Sequence, residues 1–146
     1  MVHRGNAGLQ HSLVLVSCVK SKLSRPAPAR ELYTSRWFCK ARDLIESSDA
    51  RWFILSARYG LIAPEVEIAP YDLTLNSLRV ADRRAWATGV LQQLLPETLT
   101  EKRVVILAGR RYYEFIIEPL KKMGLTVELP MQHLGLGEQL SWLSKQ

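Results

Sequence analysis

The chain is poor in the residues that staple small proteins or hold metals: it has two cysteines, Cys18 and Cys39, and three histidines among 146 residues. Two cysteines make neither a disulfide framework nor a zinc spacing, and the histidines lack ligand spacing, so neither a metal nor another cofactor is expected. Long apolar runs are also missing. The longest, Leu13–Cys18 and Val104–Ala108, fall far short of the roughly 18 consecutive apolar residues that a membrane helix needs. No membrane partner is expected. The first dozen residues carry His3, Arg4 and Asn6 and have no apolar core of the kind a secretory leader requires. Residues 1–11 therefore read as a flexible polar lead to one domain over 12–146, with the cytoplasm as the expected location. Repeats, low-complexity tracts and an interdomain linker are absent as well. With 47% hydrophobic and 23% charged residues, the chain has the balance of an ordinary globular domain.

Acidic residues are in deficit, and the deficit is local. Residues 1–60 hold ten Lys or Arg against four Asp or Glu, whereas residues 61–146 hold ten of each. The whole excess of +6 lies in the first part, where an anionic partner would meet it; a solvated basic face accounts for the same count.

Short apolar runs alternate with amphipathic stretches, the pattern of an α/β domain with a mainly parallel sheet. Four strands are predicted, at Ser12–Cys18, Trp52–Ser56, Arg103–Ala108 and Leu125–Leu129. Helices are predicted over Arg30–Ser47, Ser77–Leu95, Arg110–Met123 and Gly135–Ser144. The expected architecture is a three-layer, Rossmann-like single domain with a mainly parallel four-stranded sheet. Between the second strand and second helix, the connection Ala57–Asn76 contains Pro64 and Pro70, which forbid a continuous helix. Right-handed crossovers bring the loops after parallel strands to one sheet edge, where open α/β sheets bind ligands. Those loops are the most polar and cationic stretches of this chain, so one cationic cleft is expected there.

Each loop offers candidate chemistry. After the first strand, Ser17, Cys18, Lys20 and Lys22 combine turn N–H groups with ammonium groups that can hold phosphate, although the Gly-x4-Gly-Lys-Ser/Thr glycines of a P-loop are missing. After the second come Ser56, Arg58, Tyr59 and Gly60, then Tyr71 and Asp72. Arg58 presents a planar fork of donors, Tyr59 and Tyr71 present flat faces for a base, and Gly60 permits a turn of positive φ. Asp72 is the best-placed carboxylate for acid–base or electrostatic work, with a helix cap as its structural alternative. After the third strand, Gly109 allows close approach, and Arg110 and Arg111 stand at a helix start, where they oppose the dipole and suggest an anion between them. After the fourth, Gly137, Glu138 and Gln139 enter a helix, with Glu138 as the second carboxylate. Cys18 and His133 share that edge, but no third group orients them, and a cysteine ending a buried strand is usually inert.

These residues carry a resemblance. Ser17, Cys18 and Lys22; Ala29, Arg30, Leu32 and Tyr33; Ser56, Ala57, Tyr59, Gly60 and Leu61; Pro70, Tyr71 and Asp72; and Gly135, Gly137, Glu138, Gln139, Trp142 and Leu143 match the pattern of small bacterial and archaeal domains of the DUF6884 type. The likeness runs from about Leu13 to Leu143. More distantly, the Tyr-Gly-Leu and Pro-Tyr pieces resemble the YaaA family of peroxide-stress DNA-binding proteins. The Cys-Lys and Tyr-Asp loops are similar to the uracil-DNA-glycosylase-like domain of archaeosine synthase. The resemblance implies a uracil-DNA-glycosylase-like fold, but the Gly-Gln-Asp-Pro-Tyr-His loop of uracil-DNA glycosylase is lacking.

Three functions are consistent with these features. The leading expectation is a DNA or nucleotide N-glycosylase-like enzyme that cleaves the base–sugar bond of a modified or damaged nucleotide. Asp72, or Glu138 in its place, would then sit near the sugar, where positive charge develops, and Lys20, Lys22 and Arg58 would meet phosphates or the leaving base. A non-catalytic nucleic-acid-binding module would use the same basic edge. A hydrolase or transferase of free nucleotides would share its cations.

Overall fold

A computed structural model describes residues 8–17 and 21–146. In chain order the first half comprises β1 (Leu13–Ser17), β2 (Ala27–Pro28), α1 (Ala29–Leu32), α2 (Arg36–Glu46), β3 (Arg51–Ser56), β4 (Gly60–Ile62) and β5 (Glu67–Ile68). The second half comprises α3 (Val80–Leu94), β6 (Arg103–Leu107), α4 (Arg110–Tyr113), α5 (Ile117–Lys122), β7 (Thr126–Glu128) and α6 (Leu136–Lys145).

Every residue of β1 is buried. Alternate side chains leave a strand on opposite faces, so Leu13 and Leu15 join a core with Leu55, Val104 and Ile106, while Val14 and Val16 join another with Ile54, Val105 and Leu107. A strand covered on both faces has no polar side, which is why these runs read as continuously apolar. β1 pairs in parallel with β3 and with β6, and β6 in parallel with β7. Trp37, Phe38, Ala41, Leu44 and Ile45 of α2, with Leu143 of α6, cover one face. On the other face lie Ala87, Val90 and Leu94 of α3, Tyr112 of α4 and Leu120 of α5. The layers are thus helix, sheet, helix.

Four expectations need correction. The main sheet has five strands, in the order β4-β3-β1-β6-β7, because the predicted connection 57–76 begins with a hairpin in which β4 returns antiparallel to β3. A run as short as Leu61-Ile62, soon followed by Pro64, leaves no period to detect. Further along the same connection, β5 pairs with β2 in a separate two-stranded ribbon. The helix predicted over 30–47 breaks at Tyr33–Ser35: Leu23 N–H donates to the Leu32 carbonyl, Thr34 N–H to the Ser21 carbonyl, and the Ser35 hydroxyl caps α2 by accepting from Phe38 N–H. The helix predicted over 110–123 divides into α4 and α5, since Pro119 has no N–H to give the carbonyl of Phe115 and its ring crowds that carbonyl. Finally, the boundary at residue 12 falls inside packed structure: Leu9 is buried in the core, and Arg103 donates to the carbonyl of Gln10.

Across the break between α1 and α2, Arg30 grips Glu46 with two hydrogen bonds of 2.7 Å. The guanidinium donors hold the Glu46 carboxyl below its ordinary value of 4.5. A carboxylate whose folded pKa is depressed contributes stability above its unfolded pKa and loses it as pH falls through the folded one. In urea titrations below pH 4.5, Glu46→Gln is expected to lose midpoint less steeply than the parent.

The free edge of β4 is closed by a side chain. Gln93 of α3 accepts from Leu61 N–H at 2.9 Å and donates to the Leu61 carbonyl at 3.4 Å. This amide lies so close that a Cβ on Gly60, whose φ is +76°, would collide with Gln93 Oε1. Gly60→Ala is therefore expected to destabilise the fold by at least about 1–2 kcal/mol from backbone strain alone, read as a lowered urea midpoint. Gln93→Ala in the same background should recover only the part due to the clash.

Candidate functional site

The chain leaves β1 through α1 and α2 toward β3 on one side, and leaves β6 through α4 and α5 toward β7 on the other. Connections that diverge from neighbouring parallel strands leave a crevice beyond their carboxyl ends. A cleft of about 390 Å³ lies there. Its floor joins the two strand ends, where Gly109 N–H donates to Ser17 Oγ at 3.3 Å. One wall is Trp37, in the first turn of α2. Its indole Nε1–H donates to Gln139 Oε1 at 2.9 Å, and Gln139 Nε2 donates to the Leu134 carbonyl at 2.9 Å. Tyr112 also lines the cleft; it is buried and packs edge-on against Trp86 at 5.7 Å and 90°. Trp86 is in turn fixed by donating to the Ser56 carbonyl at 2.8 Å. The rim is formed by the exposed side chains of Asn76, Arg110, Arg111 and Leu136. No carboxylate lines this cleft among the described residues.

Behind the rim lies Arg83, only 5% exposed. Its Nε pairs with Glu114 at 2.9 Å and its Nη1 donates to the Leu78 carbonyl at 2.6 Å. Glu114 directly follows α4, and Leu78 ends the 3-10 turn of Asn76. One guanidinium therefore anchors the two rim segments that carry Arg110, Arg111 and Asn76.

A second hollow, of about 350 Å³, is lined by Lys22, Leu23, Ser24, Pro70, Tyr71 and Asp72. The Tyr71 hydroxyl accepts from Ser56 Oγ at 2.8 Å and shares a hydrogen bond of 2.7 Å with Tyr33. Ser56 Oγ in turn accepts from Tyr59 N–H at 3.0 Å. Lys22 Nζ stands 4.4 Å from the centre of the Tyr71 ring, a cation–π distance. Tyr59 packs edge-on against the same ring at 5.6 Å.

The single hollow expected from the sequence is therefore two. Ser17, Gly109 and Gln139 meet in the cleft with Arg110 and Arg111; Lys22, Tyr71 and Asp72 meet in the other hollow. Ser56 is wholly buried and serves both as a hydrogen-bond hub. Arg58 is exposed, 5.8 Å from the centre of the Tyr59 ring. Gly60 belongs to the hairpin, and Gly137 to the first turn of α6. Glu138 Oε1 accepts from Gly135 N–H at 2.9 Å, so this carboxylate caps α6. Cys18 and Lys20 lie outside the described residues; His133 is exposed in the turn before α6, at a φ of 73°. Among the described residues, no three His, Cys, Asp or Glu side chains gather to hold a metal, and no helix is long and apolar enough to cross a membrane. Sequence reasoning missed Asn76, Leu136 and the cleft roles of Trp37 and Tyr112. Trp37 falls on the apolar stripe of its helix, and nothing in its spacing separates a wall residue from a core one.

Tyr71→Phe removes the hydroxyl between two buried groups and leaves the Ser56 hydrogen without its acceptor. A loss of about 1–3 kcal/mol is expected, measured by denaturant unfolding, whereas Tyr59→Phe, which loses a bond of 3.3 Å to the Ala69 carbonyl, should cost less.

With the geometry in place, comparison with known proteins adds one finding. No curated protein and no solved structure matches the chain. A family model does match, over residues 13–145, a span that includes all the described strands and helices and both hollows. The chain belongs to DUF6884, a family of unknown function.

Proposed function

We propose that the cleft between β1 and β6 binds a nucleotide, with its ring against Trp37 and Tyr112 and its phosphate on Arg110 and Arg111. One observation carries the reading: aromatic walls, amide and hydroxyl groups and two arginines converge where the strand connections diverge, and among the described residues the lining has no carboxylate to repel a phosphate. A volume of about 390 Å³ is in the range of small-molecule and cofactor sites. Guanidinium groups match phosphate geometry, and ring stacking serves any base. We further propose, from the Tyr-Gly-Leu, Pro-Tyr, Cys-Lys and Tyr-Asp pieces of the sequence alone, a distant kinship to the YaaA family and to the glycosylase-like domain of archaeosine synthase, which would make a nucleotide unit of nucleic acid the source of this ligand.

A second reading adds chemistry: cleavage of the bond between base and sugar, with Asp72 stabilising the cationic sugar. Asp72 lines the second hollow, which is built on Tyr71 and hence on Ser56 at the end of β3, so this reading requires the sugar of the ligand to extend from the cleft to that hollow. Glu138 is the weaker candidate because its carboxylate already caps α6.

Tryptophan fluorescence tests the binding step. A 5′-mononucleotide should quench Trp37, and Arg110→Ala and Arg111→Ala should each weaken its binding about tenfold while leaving a nucleoside unaffected. Equal affinity for nucleoside and nucleotide in all three proteins would exclude the phosphate assignment. On a substrate that yields free base, Asp72→Asn is expected to slow release by about a hundredfold.

A further inference from the structure

We infer that a single strand of nucleic acid crosses the face formed by α4 and the start of α3, with the phosphates that flank the bound nucleotide on Arg79 and Arg84. The inference rests on the nucleotide reading above and adds to it the path by which a strand leaves the cleft.

The even charge balance of the second part of the chain conceals a local excess. Residues 61–146 hold ten basic and ten acidic side chains, yet residues 76–84 and 109–115 together hold five arginines against two acids, Asp82 and Glu114. The fold sets these two segments side by side. Arg83 bonds both the Leu78 carbonyl and Glu114, and Arg79, Arg84 and Phe115 are the chain neighbours of those three residues. Because Asn76, Arg110 and Arg111 of the same segments line the cleft, the excess is continuous with the cleft rim. The acids do little to offset it. Glu114 is neutralised by Arg83, and Asp82 stands 3.9 Å from an Arg79 side chain that is 90% exposed, an arrangement that contributes little in water. Arg84 is exposed as well, with its guanidinium 4.2 Å from the centre of the Phe115 ring. A guanidinium held over a ring is steadied without giving its N–H donors to a carboxylate. Among the described residues no carboxylate pairs with Arg84, Arg110 or Arg111.

A free mononucleotide would meet Arg110 and Arg111 and leave Arg79 and Arg84 idle. A strand brings further phosphates covalently attached to the one in the cleft, and cations interleaved with an aromatic ring are the parts with which proteins track such a backbone. The strand is single because a base seated in a cleft has left any duplex stack.

The test titrates the full chain with thymidine and uridine 5′-monophosphates and with an octamer of each nucleotide, at several salt concentrations. At least one octamer should bind at least about tenfold tighter than its monophosphate. Arg79→Ala and Arg84→Ala should each weaken that octamer about threefold or more and flatten its slope of log K against log salt by about 0.7, while the monophosphate stays within about twofold of the parent. Lys102→Ala, which removes one exposed charge at the other end of β6, should change neither. Octamers that bind no tighter than the monophosphates, or that lose as much in Lys102→Ala as in the two arginine variants, overturn the inference and leave the nucleotide reading standing. Displacement of the octamer by polyglutamate or by a blunt duplex at equal charge concentration overturns the assignment to a single strand. Binding of neither monophosphates nor octamers overturns both readings.

Discussion

Two adjacent parallel strands whose chains depart in opposite directions cannot both roof the gap between them. In this protein that constraint falls on β1 and β6, and the rest of the candidate site follows from it. β1 is central because all five of its residues are apolar or small and buried, so it needs a strand on each side and a helical layer on each face. Once β3 takes one side and β6 the other, the connections diverge and the carboxyl ends stay uncovered. Ser17 and Gly109 come together at that gap because they follow directly from the strands that define it.

The other half of the site is supplied from the opposite helical layer. Residues Arg83 and Trp86 are three apart on α3 and so emerge on one side of it. Arg83 secures Glu114 and the Leu78 carbonyl; Trp86 secures Tyr112 and the Ser56 carbonyl. A buried cation without its partner costs about 3–5 kcal/mol, so the Arg83–Glu114 pair makes the spacing of the two rim segments an all-or-none property. Neither residue lines the cleft, yet both restrict where its aromatic and basic groups can be. Ser56 plays a similar part on the β3 side, where its hydroxyl and its carbonyl are both committed to aromatic side chains.

Much of the architecture was legible in the residues. The four parallel strands and the helices α3 and α6 fall where apolar runs and helical spacing place them, because each buries a face large enough to impose its period on the sequence. The elements that escaped are short and held from outside. β4 has three residues and depends on β3 and Gln93; the interruption at Tyr33–Ser35 depends on Ser21 and Leu23, a contact that no local pattern announces. The site was legible in part for the same reason. Ser17, Gly109 and Gln139 are recognisable from their position after strands or at a helix start. Trp37 and Tyr112 look like core residues because half of each is core. Glu138 and Gly60 carry conspicuous motif residues whose work in the structure is local, one as a helix cap and the other as a tight corner beside a side-chain amide.

That amide has a wider meaning for how the molecule behaves among its neighbours. A sheet ends wherever its last row of peptide groups stops finding partners, and an open row is a template for any extended segment that drifts past. On β4 the carboxamide of Gln93 imitates a passing peptide bond, giving Leu61 one acceptor and one donor where a sixth strand would otherwise dock. The opposite boundary, β7, is only three residues long. With one border capped by a counterfeit peptide and the other too brief to zip, the layer has little purchase for recruiting further chains edge to edge.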